Sequence, residues 1–226
     1  MATAARAVSA SAAVLFCAGA LAAQALPASV FSDHMVLQRG EPIAVWGTAG
    51  PNEAVAVSLG DERVEGAADA AGRWIVHLPP RGQGGPYDLS IRASNEVVIR
   101  DVLVGEVWVC SGQSNMYWSM ERHQDTLAAL PGSADPMLRV LQFPLVASRT
   151  PQESVNARWE VASPESLRKF SAVAYGFGRH LRETLGVPIG LVHTSWGGTR
   201  AEAWTREEAL ARHSSRHRAR LADRSQ

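Results

Sequence analysis

Between residues 26 and 103 the sequence consists of short apolar or alternating runs, each cut off by turn-forming residues, with no stretch of helical period among them. Few architectures accept such a stretch. Residues 43–49 (IAVWGTA), 54–60 (AVAVSLG), 72–79 (GRWIVHLP), 87–93 (YDLSIRA) and 96–104 (EVVIRDVLV) read as strands. The segments GPNE, DAAG and PPRGQGGP between them hold the Gly, Pro, Asn and Asp that tight turns require. Several strands so closely spaced predict a small β-sandwich, with alternate residues facing its core. His34 and His77 fall in strand-like runs and read as structural.

After residue 103 the period changes. GEVWVC (105–110) is a nearly unbroken apolar run, the pattern of a strand buried on both faces. Residues 116–130 read as helix or loop, and MLRVLQF (137–143) as a second buried strand. In the stretch 167–185, Phe170, Val173, Ala174, Phe177 and Leu181 recur at spacings of three and four, which predicts an amphipathic helix ending at Gly186. VPIGLVHTSW (187–196) gives a third strand. Strand, helix and strand in alternation predict an α/β fold, a parallel sheet with helices on both faces. The expected organisation is a leader over 1–25, a β-sandwich over 26–103 and an α/β domain over 104–226.

In open parallel sheets ligands bind at the carboxyl ends of the strands. Two polar turns fall there, SGQSNM (111–116) and TSWGGT (194–199). Serine attack on an ester needs an exposed hydroxyl, a base, and donors for the developing oxyanion. Ser114 sits where a strand end would display it, although a plain polar loop fits the same residues. Gln113 and Asn115 either donate to an oxyanion or cap the turn. Gly197 and Gly198 let backbone approach a bound substrate closely.

Charge is balanced, with 22 Lys and Arg against 22 Asp and Glu, which gives no reason to expect a nucleic-acid partner. The seven tryptophans could line a sugar site, but filling a sandwich core is the commoner use. Arg6, an alanine-rich apolar run over 12–23 and the small-x-small AQA (23–25) form a secretory signal with cleavage expected after Ala25, and the run is too short for a membrane span. Cys17 would leave with it. Cys110 then stands alone, without an intramolecular disulfide, as a buried hydrophobe. The arginine-dense segment from 205 to the end reads as a solvated or frayed helix.

VGEVWVCSGQSNM, followed some eighty residues on by GVPIGLVHTSWGGTRAEAW, resembles the sialate O-acetylesterase family, carbohydrate esterases with an SGNH-hydrolase-type (flavodoxin-like) catalytic domain. VFSDHMVLQRGEPIAVWGTA, GRWIVHLP and GGPYDLSI are similar to that family's N-terminal β-domain. The resemblance implies hydrolysis of O-acetyl esters on sugars without metal or other cofactor, an O-acetylated carbohydrate as partner, Ser114 as nucleophile, and oxyanion donors at Gly197 and Gly198. The chain departs from the pattern twice. Tyr117 follows GQSNM where an acidic residue is common in the family. The late Asp-x-x-His element that supplies the base of SGNH hydrolases is absent, and so is any Glu-x-x-His. Of the remaining histidines, His123 and His180 read as surface residues, His193 as a core or near-site residue, and His213 and His217 lie in the tail. The expectation is therefore an incomplete SGNH-type domain, truncated before its base. The alternative is a non-catalytic, vestigial carbohydrate-binding fragment.

Overall fold

The computed structural model describes residues 24–148, 150 and 152–213. Most of the expected leader, with Cys17, and the tail beyond 213, with His217, lie outside the described residues. The fold is mixed α/β. Its first half contains strands β1 (Leu26–Pro27), β2 (Val36–Gln38), β3 (Ile43–Thr48), β4 (Ala54–Leu59), β5 (Glu62–Ala67), β6 (Arg73–Leu78) and β7 (Gly84–Arg92). Next comes the 15-residue β8 (Glu96–Cys110). The second half adds α1 (Ser114–Tyr117), α2 (Gln124–Ala129), β9 (Asp135–Gln142), β10 (Trp159–Ala162), α3 (Pro164–Arg168), α4 (Ala172–Leu185), β11 (Ile189–His193) and α5 (Glu207–His213).

Alternation in sequence becomes alternation in burial. On β6, Trp74, Val76 and Leu78 turn inward while Arg73, Ile75 and His77 face out. The strands β1, β3 and β6 form one antiparallel sheet. Its Val45, Trp74, Val76 and Leu78 share a single core with Val55, Val57, Leu59, Leu89 and Ile91 of β4 and β7 in the larger sheet. His34 is not in a strand: it occupies a turn with φ 70°, and its ring meets the Asp101 carboxylate at 2.7 Å.

The larger sheet runs β10-β9-β11-β8-β7-β4-β5. β8 belongs to both halves. Its residues up to Val104 pair antiparallel with β7, and Glu106–Cys110 pair parallel with β11. The boundary expected at 103/104 thus falls inside a continuous strand. β11 also pairs parallel with β9, as expected, whereas β10 adds an antiparallel edge absent from the sequence reading.

A second core holds Cys110, Leu138, Val140, Ile189 and Leu191 against Leu167, Phe170, Ala174 and Tyr175 from the helical segments. The approach is close because Gly178 of α4 lies over Leu191, where a Cβ would stand 2.5 Å from a Leu191 methyl. Ser171 caps the start of α4, and left-handed Gly186 ends it, as predicted. The expectation of helices on both faces fails. The opposite face carries Leu141 and, at the edge, Trp159, both part of the first core, and among the described residues none of the helices α1–α5 contributes to that core. Gly190 shows why: Val36 and the Trp159 ring already fill the space over it.

Two further expectations fail at one place. Val173 and Phe177 have core spacing but are exposed, and Trp108 and Val109 are 44% and 67% exposed although the run was expected to be buried on both faces. The cause is that residues 106–110 of β8 pair on the β11 side alone among the described residues. Trp108 and Phe177 meet edge to face across this uncovered side.

Candidate functional site

β8 and β11 end level, Cys110 opposite His193, so the turns that follow them rise from adjacent strands. They are joined by backbone hydrogen bonds. Thr194 N–H donates to the Cys110 carbonyl (3.1 Å), and Trp196 N–H donates to the Gly112 carbonyl (2.9 Å). Gly112 has φ 135°, a conformation that side-chain-bearing residues rarely adopt, and it redirects the chain from β8 into α1.

Ser114 is the first residue of α1 and is exposed. Among the described residues its hydroxyl has no hydrogen-bond partner. Gln113 caps α1, its Oε1 accepting the Ser114 N–H at 3.0 Å, which leaves the amide Nε2 as its free donor. Asn115 is exposed on α1. Gly197 comes directly against the serine: a Cβ on it would lie 3.6 Å from Ser114 Cα and 3.5 Å from the Tyr117 ring. Gly198, φ 82°, has open space around it. Of the sequence candidates, the fold brings Gly197 to Ser114, keeps Gln113 and Asn115 on either side of it, and leaves Gly198 at the rim. Thr199 closes the second turn, donating to the Trp196 carbonyl and accepting from Trp204 Nε1, both at 2.8 Å.

His123 and His180 are exposed. His193 is the histidine near the site, 1% exposed between Phe170 and Tyr117, whose ring centroids lie 5.3 and 6.4 Å from its own. Its Nδ1 meets Gln142 Oε1 at 2.6 Å and its Nε2 meets Ser195 Oγ at 2.5 Å. Burial lowers its pKa, with the Met116 backbone opposing. Gln142 and Ser195 were missed in the sequence. The available signal was that Gln142 and His193 end two adjacent apolar strands with polar side chains.

Beneath the turns, Cys110 is buried and burial alone pushes its thiol up to about 11. At pH 8, in a chain carrying Cys17→Ser, the native Cys110 thiol should react with an aromatic disulfide reagent more than about 100-fold more slowly than in the urea-unfolded chain, because only the thiolate attacks. Equal rates, followed by the absorbance of the released thiolate, would contradict this burial. Among the described residues no group of three or more His, Cys, Asp or Glu side chains converges to hold a metal ion. No helix among them is long and apolar enough to cross a membrane.

Residues 104–224 match the family described as carbohydrate esterase, sialic acid-specific acetylesterase. The sialate O-acetylesterase of Homo sapiens is 35% identical over 205 residues, covering 81% of this chain and 39% of its own length. That of Mus musculus is 33% identical, covering 81% and 38%. The chain therefore spans about two fifths of the length of these relatives. Among solved structures, a carbohydrate acetylesterase from Xanthomonas citri superposes with a TM-score of 0.80 at 39% identity, over 84% of this chain and 44% of the other.

Proposed function

Because the chain belongs to the sialic acid-specific acetylesterase family of carbohydrate esterases, we propose that Ser114 is a nucleophile for O-acetyl esters on sugars. Its Oγ bonds to the acetyl carbon, the C–O bond to the sugar breaks, and the sugar oxygen leaves with a proton. Water then cleaves the acetyl-serine to release acetate and restore the hydroxyl. The observation that carries this reading is the seating of Gly197 against Ser114, which brings the backbone of the second turn beside the reacting residue, where an N–H of that turn would serve the oxyanion. Gly198, the free amide of Gln113 and Asn115 are the further oxyanion or substrate donors. No metal or organic cofactor takes part.

The rival reading, a non-catalytic carbohydrate-binding fragment, has its own support. The Ser114 hydroxyl has no base among the described residues, and both nitrogens of His193 are engaged elsewhere. In the complete mechanism we assign the base to the portion of the relatives that this chain does not span. Hydrolysis of 4-nitrophenyl acetate by the full chain and by Ser114→Ala separates the two readings. The catalytic reading expects the variant to lose a rate about tenfold or more above background. Equal rates in both proteins would sink catalysis by this chain and leave the binding reading.

The same proposal takes residues 26–103 as a β-sandwich, and the end of β8 with β9 and β11 as the front part of an SGNH-type sheet. It also takes the chain to be secreted. Cleavage after Ala25 suits the structure poorly: Ala25 is fully buried, and its N–H and carbonyl both bond the Asn95 side chain (2.8 and 3.0 Å). The small-x-small form recurs at Ala20-Leu21-Ala22. The secreted chain is expected to begin at Ala23 by intact-mass spectrometry, and a start at Leu26 would restore the later cut.

A further inference from the structure

Cys110, Gln142 and His193 are register partners on three neighbouring strands, directly below the paired turns. Gln142 and His193 make this level polar, and His193 and Ser195 are each 1% exposed. Buried polar groups keep partners, and here the partners fix a direction of donation. The Gln142 amide is oriented by its own Nε2, which donates to the Phe143 carbonyl at 3.2 Å. Its Oε1 therefore faces His193 Nδ1, and an amide oxygen only accepts. The proton of the imidazole is on Nδ1. In the buried, neutral ring Nε2 is then an acceptor, and the Ser195 hydroxyl donates to it.

Ser195 opens the second turn. The next residue, Trp196, bonds the Gly112 carbonyl, and the one after, Gly197, lies on Ser114. We propose that His193 is a positioning residue for Ser114: gripped by Gln142, it holds the Ser195 hydroxyl and so seats the Trp196-Gly197 backbone against the nucleophile. The inference rests on the reading of Ser114 as nucleophile for its role in catalysis. It also assigns His193 a task other than that of base, since its Nε2 lone pair is taken by Ser195.

Removing His193 would hollow the space between Tyr117 and Phe170, so the test is made at Ser195. Ser195→Ala deletes the hydroxyl with little change of volume, whereas Ser195→Thr keeps the hydroxyl and adds a methyl. A packing role ranks alanine as the milder change; a role through the hydrogen bond ranks threonine as the milder. Amide hydrogen exchange of the full chain is expected to be about tenfold faster in Ser195→Ala at Trp196 and at Tyr117, whose N–H bonds the Gln113 carbonyl. Val57 and Ile91 in the first core keep their rates, and Ser195→Thr recovers most of the protection. Acetylation of Ser114 by 4-nitrophenyl acetate, read by mass spectrometry, follows the same order.

Exchange unchanged in Ser195→Ala overturns the proposal. So does a Ser195→Thr chain more disturbed than Ser195→Ala, or an Nε2–H tautomer of His193 in nitrogen-15 spectra. A wild-type Ser114 that takes no acetyl group sinks the nucleophile reading by itself, while exchange and tautomer still decide the positioning.

Discussion

Asp101→Asn is expected to destabilise the native chain by about 2–3 kcal/mol, measured as a lower urea midpoint. Arg139 is 3% exposed, and its guanidinium reaches Asp101 through two bonds of 2.6 and 3.2 Å. The Pro136 and His34 carbonyls take its remaining contacts, and neither offsets the charge. Asparagine is the informative replacement because residue 101 has φ 55°, which asparagine tolerates and alanine does not. The variant keeps the turn and the shape and loses the charge. A midpoint shift worth less than about 0.5 kcal/mol would show that Arg139 does not need its counterion.

The same pair sets a pH dependence. Arg139 first, and His34 after it, hold the Asp101 carboxyl below the ordinary carboxylate range, against the opposing effect of burial. A group with a depressed native pKa contributes fully above its unfolded value, near 3.9, and loses that contribution as pH falls through the native value. The wild-type chain is therefore expected to lose stability below about pH 4 more steeply than Asp101→Asn. Parallel acid transitions in the two proteins would contradict the coupling.

Gly105→Ala is expected to be among the most damaging single methyls at the described glycines. Its Cβ would lie 2.0 Å from the Pro188 carbonyl oxygen and 2.7 Å from the Pro188 carbonyl carbon. Neither backbone can retreat without loss: Glu106 N–H donates to that same Pro188 oxygen at 2.9 Å, and the Gly105 carbonyl accepts Arg39 N–H at 2.8 Å. Overpacking against side chains costs about 1–3 kcal/mol because they can turn aside, and a clash of backbone on backbone should exceed it, at about 4 kcal/mol. Gly176→Ala is the matched control. That glycine is exposed on α4 with nothing within 4 Å, so alanine should stabilise by about 0.5–1 kcal/mol. Thermal unfolding of both variants checks the contrast, and a Gly105→Ala midpoint at the wild-type temperature would refute it.

Period and punctuation carried the regular elements. The inward set of β6 and the Gly186 stop of α4 were legible because each depends on neighbours in sequence. β10 escaped notice because four residues, Trp159 to Ala162, are too few to display a period and follow a long irregular stretch. Val173 and Phe177 have the spacing of a core stripe, but whether that stripe is covered depends on what pairs with β8 on its far side. The 103/104 boundary followed a change of period, yet there the strand only changes partner, from β7 to β11, and a change of partner leaves no local mark. In the site, the displayed serine and the glycine turn were legible. The link from Gln142 through His193 to Ser195 depends on strand register, which a single chain read in order does not reveal.

β8 begins against the first core, with Ile99 and Val102, and ends in the second, with Cys110, and Ser114 follows four residues further on. The strands that precede it are thus joined to the proposed nucleophile by a single continuous strand instead of a hinge. Cutting the gene at the point where the composition changes would saw through that strand. The practical unit for grafting this serine onto another protein, or for fusing another module upstream of it, begins where β1 begins.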